Sequence, residues 1–127
     1  MTQAEIVREF AADPAGVALL LSGPGAGALW PPTAGATGDE RPAAVRVGPP
    51  MRSGVGFVID LTVGDPAVGE IRGRLALTPG RGEVPLVGTS ARLRLSAPEA
   101  APLPLRRRGE EFLDALGSLA IARSSAA

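Results

Sequence analysis

The amino-acid sequence predicts an α+β fold, a curved antiparallel sheet of five to seven strands wrapped around a long C-terminal helix. Three observations predict it. Residues 55–63, 68–78 and 84–96 alternate apolar and polar side chains with the period of a strand. Turns rich in Gly and Pro join these segments, which makes antiparallel pairing the simplest arrangement. The closing segment, Leu105–Arg123, carries apolar residues at helical spacing. It is the only element large enough to cover the apolar face of such a sheet.

The elements follow in order along one domain, residues 1–127. Ala4–Phe10 reads as a strand with Ile6 and Phe10 on one face. Asp13 supplies an N-cap and Pro14 a first helical position for the short helix Ala15–Leu21. On that helix Val17, Leu20 and Leu21 share a face, and Ser22-Gly23-Pro24 ends it. Pro31–Arg41 is small and polar and reads as the longest loop. Pro42–Val47 is a short strand. In the next, Val55, Phe57, Ile59, Leu61 and Val63 alternate with Gly56, Val58, Asp60 and Thr62, and Gly64-Asp65-Pro66 forms a turn. Ile71, Leu75 and Leu77 then oppose Glu70, Arg72 and Arg74 within Val68–Thr78. Val84–Ser96 ends with Ala91, Leu93 and Leu95 against Arg92, Arg94 and Ser96. Pro98, Pro102 and Pro104 break the chain before the closing helix. There Phe112, Leu113, Leu116, Leu119 and Ala120 form a stripe. Gly109 and Gly117 lower its intrinsic helicity, so tertiary packing must hold it.

Composition narrows the chemistry. All 13 basic residues are Arg and they balance 13 acidic residues, without the basic excess of a nucleic-acid binder. There is no Cys, hence no disulfide, no thiolate metal site and no Cys nucleophile; no His removes the usual general base and commonest metal ligand. No metal site or cofactor is expected. No apolar run reaches the roughly 20 residues of a membrane span, and the start MTQAEIVREF lacks the apolar run of a signal peptide, so a cytoplasmic protein is the expectation.

Three segments together resemble the helix-grip fold of the SRPBCC superfamily of START-like domains and polyketide cyclases and dehydratases. AEIVREFAADPAGVALLLSG is similar to its first strand, helix and turn. LALTPGRGEVPLVGTSARLRLSAP is similar to its last two strands, and PLRRRGEEFLDALGSLA to its closing helix. The resemblance implies a cavity between sheet and helix for an apolar or amphipathic small molecule. Trp30, Phe57, Ile59, Leu75, Leu93, Leu95, Phe112 and Leu116 are then its ligand-binding candidates.

No catalytic residue stands out. The carboxylates are not paired at a telling spacing, and no base is available to activate a Ser. A polyketide cyclase-type enzyme acting by orientation alone stays open, as do a protein-interaction module with a filled core and a homodimer. Gly23–Gly27 (GPGAG) lacks a following Lys and reads as a loop. Arg106-Arg107-Arg108 reads as a solvated run near Glu110 and Glu111. Trp30 suits either a pocket mouth or a plug at the sheet edge.

Overall fold

The computed structural model describes residues 2–10, 12, 14–23, 29–30, 33–34, 40–41, 44–65, 69–79, 88–98 and 102–125. In chain order these form β1 (Thr2–Phe10), α1 (Pro14–Ser22), β2 (Thr33–Ala34), β3 (Glu40–Arg41), β4 (Ala44–Val47), β5 (Met51–Ser53), β6 (Gly56–Asp65), β7 (Gly69–Pro79), β8 (Thr89–Ala97) and α2 (Pro102–Ser125). The fold is α+β, with a six-stranded antiparallel sheet and a C-terminal helix. Its order is β1-β8-β7-β6-β4, with β5 also on β6, and β2 and β3 pair separately.

The first strand therefore lies beside the last, with Ile6 opposite Leu93 and Glu5 opposite Arg94. β4 and β5 share one edge of β6, β4 against Leu61–Gly64 and β5 against Gly56–Val58. Gly48-Pro49-Pro50 separates them, and the two prolines, lacking N–H donors, suit this outer edge. Gly48 keeps the edge attached by donating its N–H to the Asp60 carbonyl at 2.8 Å. Between β5 and β6 the chain turns through Gly54-Val55, with Gly54 at φ 59°, the left-handed first position that a two-residue hairpin of this hand needs.

One face of the sheet is apolar. Ile6, Phe10, Ile59, Leu61, Val63, Ile71, Leu75, Leu77, Ala91, Leu93 and Leu95 are all buried. α2 covers this face over β1 and β8, and α1 covers it over β6 and β7. The buried stripe of α2 runs Leu105, Gly109, Phe112, Leu113, Leu116, Gly117 and Ala120, at the i, i+4, i+7, i+8 spacing of a helix seated on a sheet. α1 buries Pro14, Val17, Ala18 and Leu21.

Several expectations shift at their edges. Pro102 and Pro104 begin α2 rather than break the chain before it, because the first turn of a helix has no intrahelical partners for its N–H groups. Val55 lies in the β5–β6 turn at 82% exposure instead of on the apolar face, because the hairpin reverses there. The segment expected as one long loop contains β2 and β3, and β5 was not expected at all. Two- and three-residue strands carry too few residues to show a period. Asp65 is the last residue of β6 rather than part of a turn. Asp13, the Gly- and Pro-rich stretch 24–28, and Val84–Val87 lie outside the described residues.

Candidate functional site

Among the described residues, two places depart from a plain apolar core with a solvated exterior. The first lies at the junction of β6 and α2. Asp65 continues the parity of Leu61 and Val63, so its carboxylate points inward, and its side chain is fully buried. A buried carboxylate is costly unless hydrogen-bonded and paired. Here it accepts the Trp30 indole N–H at 3.0 Å and faces Arg108 Nε at 3.6 Å. Trp30 is itself buried and meets the Phe112 ring at 5.7 Å between centroids, tilted by 44°. Arg108 is thus not part of a solvated run. At 21% exposure it is turned inward, while Arg106 pairs with Glu110 on the outside at 3.1 Å. A second buried polar contact, from the Thr89 hydroxyl to the Ala12 carbonyl, ties the start of β8 to the segment before α1.

The expected ligand-binding residues gather on the inner face, but they leave no ligand-sized space among themselves. Ile59, Leu75, Leu93, Phe112 and Leu116 are 0% exposed and Leu95 1%. A side chain without accessible surface borders no gap that admits even a water molecule. Phe57 is half-buried at the rim of this cluster, opposite Leu77. Trp30 acts as a plug on Phe112 and does not line an opening.

The second place is the outer face. The register sets residues from four strands in a row, Glu5 on β1, Arg94 on β8, Arg74 on β7 and Asp60 on β6. Arg94 Nε donates to Glu5 Oε2 at 2.9 Å and Arg74 Nε to Asp60 Oδ1 at 2.9 Å. The hydrogen bond to Asp60, and then its charge, raise the Arg74 pKa above the usual arginine value. Glu5 also faces Arg92 at 3.6 Å, and Arg72 meets Glu70 at 3.9 Å. All these pairs are solvent-exposed, so they shape the surface more than they stabilise the fold.

Over this row lies an open depression of about 770 Å³. Its polar walls are Gln3, Glu5, Asp60, Thr62, Arg72, Arg74, Arg94 and Ser96. A smaller one of about 350 Å³ sits at the start of α2, beside Leu103, Arg107 and Glu111. Among the described residues, no group of three acidic side chains is placed to hold a metal ion, and no helix is long and apolar enough to cross a membrane. No family model, curated protein or solved structure matches this chain.

Sequence reasoning missed two participants. Asp65 was hidden by its neighbours Gly64 and Pro66, though its parity with Leu61 and Val63 was a signal that the strand continued inward. Glu5 was hidden by distance along the chain, since only the β1–β8 pairing brings it to Arg92 and Arg94.

Proposed function

We propose that this chain is a non-catalytic binding domain on the helix-grip plan, and that it recognises its partner on the outside of the sheet. The chain order supports the plan, with the first strand beside the last, the middle strands returning in sequence and the C-terminal helix across β1 and β8. The observation that carries the binding reading is where open space lies. The large depression is on the charged face, whereas the described apolar side chains of the inner face are buried. The lining of the depression joins charged and hydrogen-bonding side chains to Ala4, Leu61, Gly73 and Leu95. Both carboxylates lining it are held by arginines, which leaves neither as a ready general base.

The Trp30–Asp65–Arg108 cluster favours a second reading, an apolar or amphipathic small molecule seated between sheet and α2 after displacing Trp30 from Phe112. Ligand sites combine apolar walls with a few converging polar groups, and Asp65 and Arg108 would supply them. A polyketide cyclase-type activity would use this same interior.

One NMR experiment separates the two. A short peptide with one central glutamate should move the arginine Nε–H signals of the outer face and leave the Trp30 indole signal in place. Fatty acids, quinones and polyketide-like aromatics should move neither. Displacement of the Trp30 signal by an apolar ligand, with the outer face unmoved, would transfer the function to the interior.

A further inference from the structure

The geometry points to a carboxylate site between Arg74 and Arg94, filled by an acidic side chain from an extended segment of a partner protein. This rests on the outer face being the recognition surface. Arg74 and Arg94 are directly opposite each other on β7 and β8. Like charges in that position are unfavourable, and the sheet keeps both by flanking each with an acid on its far side. The row reads negative, positive, positive, negative, with Arg74 and Arg94 as its two central residues.

Each arginine uses only Nε for its acid. A guanidinium has four further N–H donors in a planar fork. Among the described residues these make no hydrogen bond, so both arginines keep N–H donors for a ligand in the depression they line. A carboxylate has two oxygens and about four acceptor sites, so it takes a bidentate fork from one arginine and a further N–H from the other. Arg72 adds a third cation to the wall, where its contact to Glu70 is the longest ion pair of the face.

The ends of the row define the rest of the ligand. Glu5 and Asp60 repel further acids, so the segment carries one central acid with neutral or basic residues on either side. Four strands at about 4.8 Å spacing give the row a length of roughly 14 Å, the span of about four extended residues. A short stretch of chain laid across the strands therefore reaches both ends, whereas a free anion occupies only the centre.

The test uses the full chain and the acetylated, amidated peptide Gly-Ser-Glu-Ser-Gly, titrated by NMR with the arginine Nε–H signals as readout. Signals of Arg74 and Arg94 should shift together. Arg74→Gln and Arg94→Gln should each weaken binding about tenfold, Arg106→Gln on α2 should not, and the peptide with Gln at its centre should not bind. Unchanged melting temperatures will show that the variants are folded. If both variants bind as the parent does while other outer-face signals shift, the outer-face reading stands and the Arg74–Arg94 site falls. If acetate or inorganic phosphate binds as tightly as the peptide, the site takes a free anion and the partner segment falls. If no outer-face signal responds to any of these probes, both readings fall.

Discussion

Substituting Gly117 by Ala sets two effects of opposite sign against each other. In a helix interior Ala is better than Gly by about 1 kcal/mol, so propensity alone predicts a more stable protein. Packing predicts the reverse. A Cβ at position 117 would stand 2.8 Å from both Cδ1 and Cε1 of Phe10. Carbon atoms prefer about 3.5–4.0 Å, so the overlap is roughly an ångström. Phe10 is buried on β1, the strand against which α2 lies, and its flat ring has no flexible end to swing aside. Either the ring leaves its rotamer or the helix lifts from the sheet, and overpacking of this kind costs about 1–3 kcal/mol. The balance is a loss of about 1 kcal/mol, or roughly 4 °C in melting temperature. Gly117→Val, with two more methyl groups against the same ring, should lose more. Ser118→Ala, on the exposed side of the same turn, is the control and should gain a few tenths of a kcal/mol. Urea unfolding followed by circular dichroism measures all three. A Gly117→Ala protein as stable as the parent, or more so, would show that α2 does not sit on Phe10 and that its glycines are not there for close approach.

Three further outcomes follow from the packing and the charges. Phe112→Ala removes a fully buried ring that touches Trp30 and should cost about 3–5 kcal/mol in the same unfolding assay. Trp30→Phe keeps a ring on Phe112 but leaves Asp65 without its indole donor, and should cost about 1–3 kcal/mol. Arg74 has its pKa raised by the hydrogen bond and charge of Asp60. A cation with a raised folded pKa contributes fully below its ordinary pKa and loses that contribution only as pH rises through the raised value. Peptide binding at Arg74 should therefore be flat between about pH 6 and pH 9 by NMR titration, and a decline within that window would point to another group.

The regular elements are legible because their periodic runs are long. The ten residues of β6 and eleven of β7, and the spaced apolar stripe of α2, leave one consistent face each. The glycines of α2 looked like defects in sequence. They are contact points, since a Cβ at 109 would come within 2.5 Å of Ile6 Cδ1 and 2.8 Å of Leu95 Cδ1. No single-element pattern carries that information, because it belongs to the pairing of α2 with β1 and β8. The same holds for the candidate site. Arg72, Arg74, Arg92 and Arg94 were readable as an outer face from alternation alone, but their flanking acids were only partly so. Asp60 sits on the neighbouring strand in sequence, whereas Glu5 is 89 residues from Arg94. The inner face was read correctly as apolar. Whether it closes on itself depends on how deeply α2 and Trp30 seat, which side-chain periodicity does not encode.

Glu5 offers the sharpest check on the row of charges, because its two roles respond differently to salt. It fixes Arg94 in place by a 2.9 Å hydrogen bond, and it places a negative charge near any anion at the centre of the row. A carboxylate between β7 and β8 would lie about one and a half strand spacings from Glu5, roughly 7 Å. At that distance in a water-like medium the repulsion is about 0.6 kcal/mol, a factor of roughly three in affinity. Glu5→Gln removes the repulsion and retains a side chain that can accept a weaker hydrogen bond from Arg94. At low ionic strength the central-glutamate peptide should therefore bind the variant about three times more tightly than the parent. In 0.5 M salt, where screening acts over about 4–5 Å, the gain should vanish, and any looser hold on Arg94 should leave the variant equal to or weaker than the parent. A variant that binds more weakly than the parent at every salt concentration would mean that the hold of Glu5 on Arg94 outweighs its repulsion of the anion, and the repulsion worked out here would be refuted.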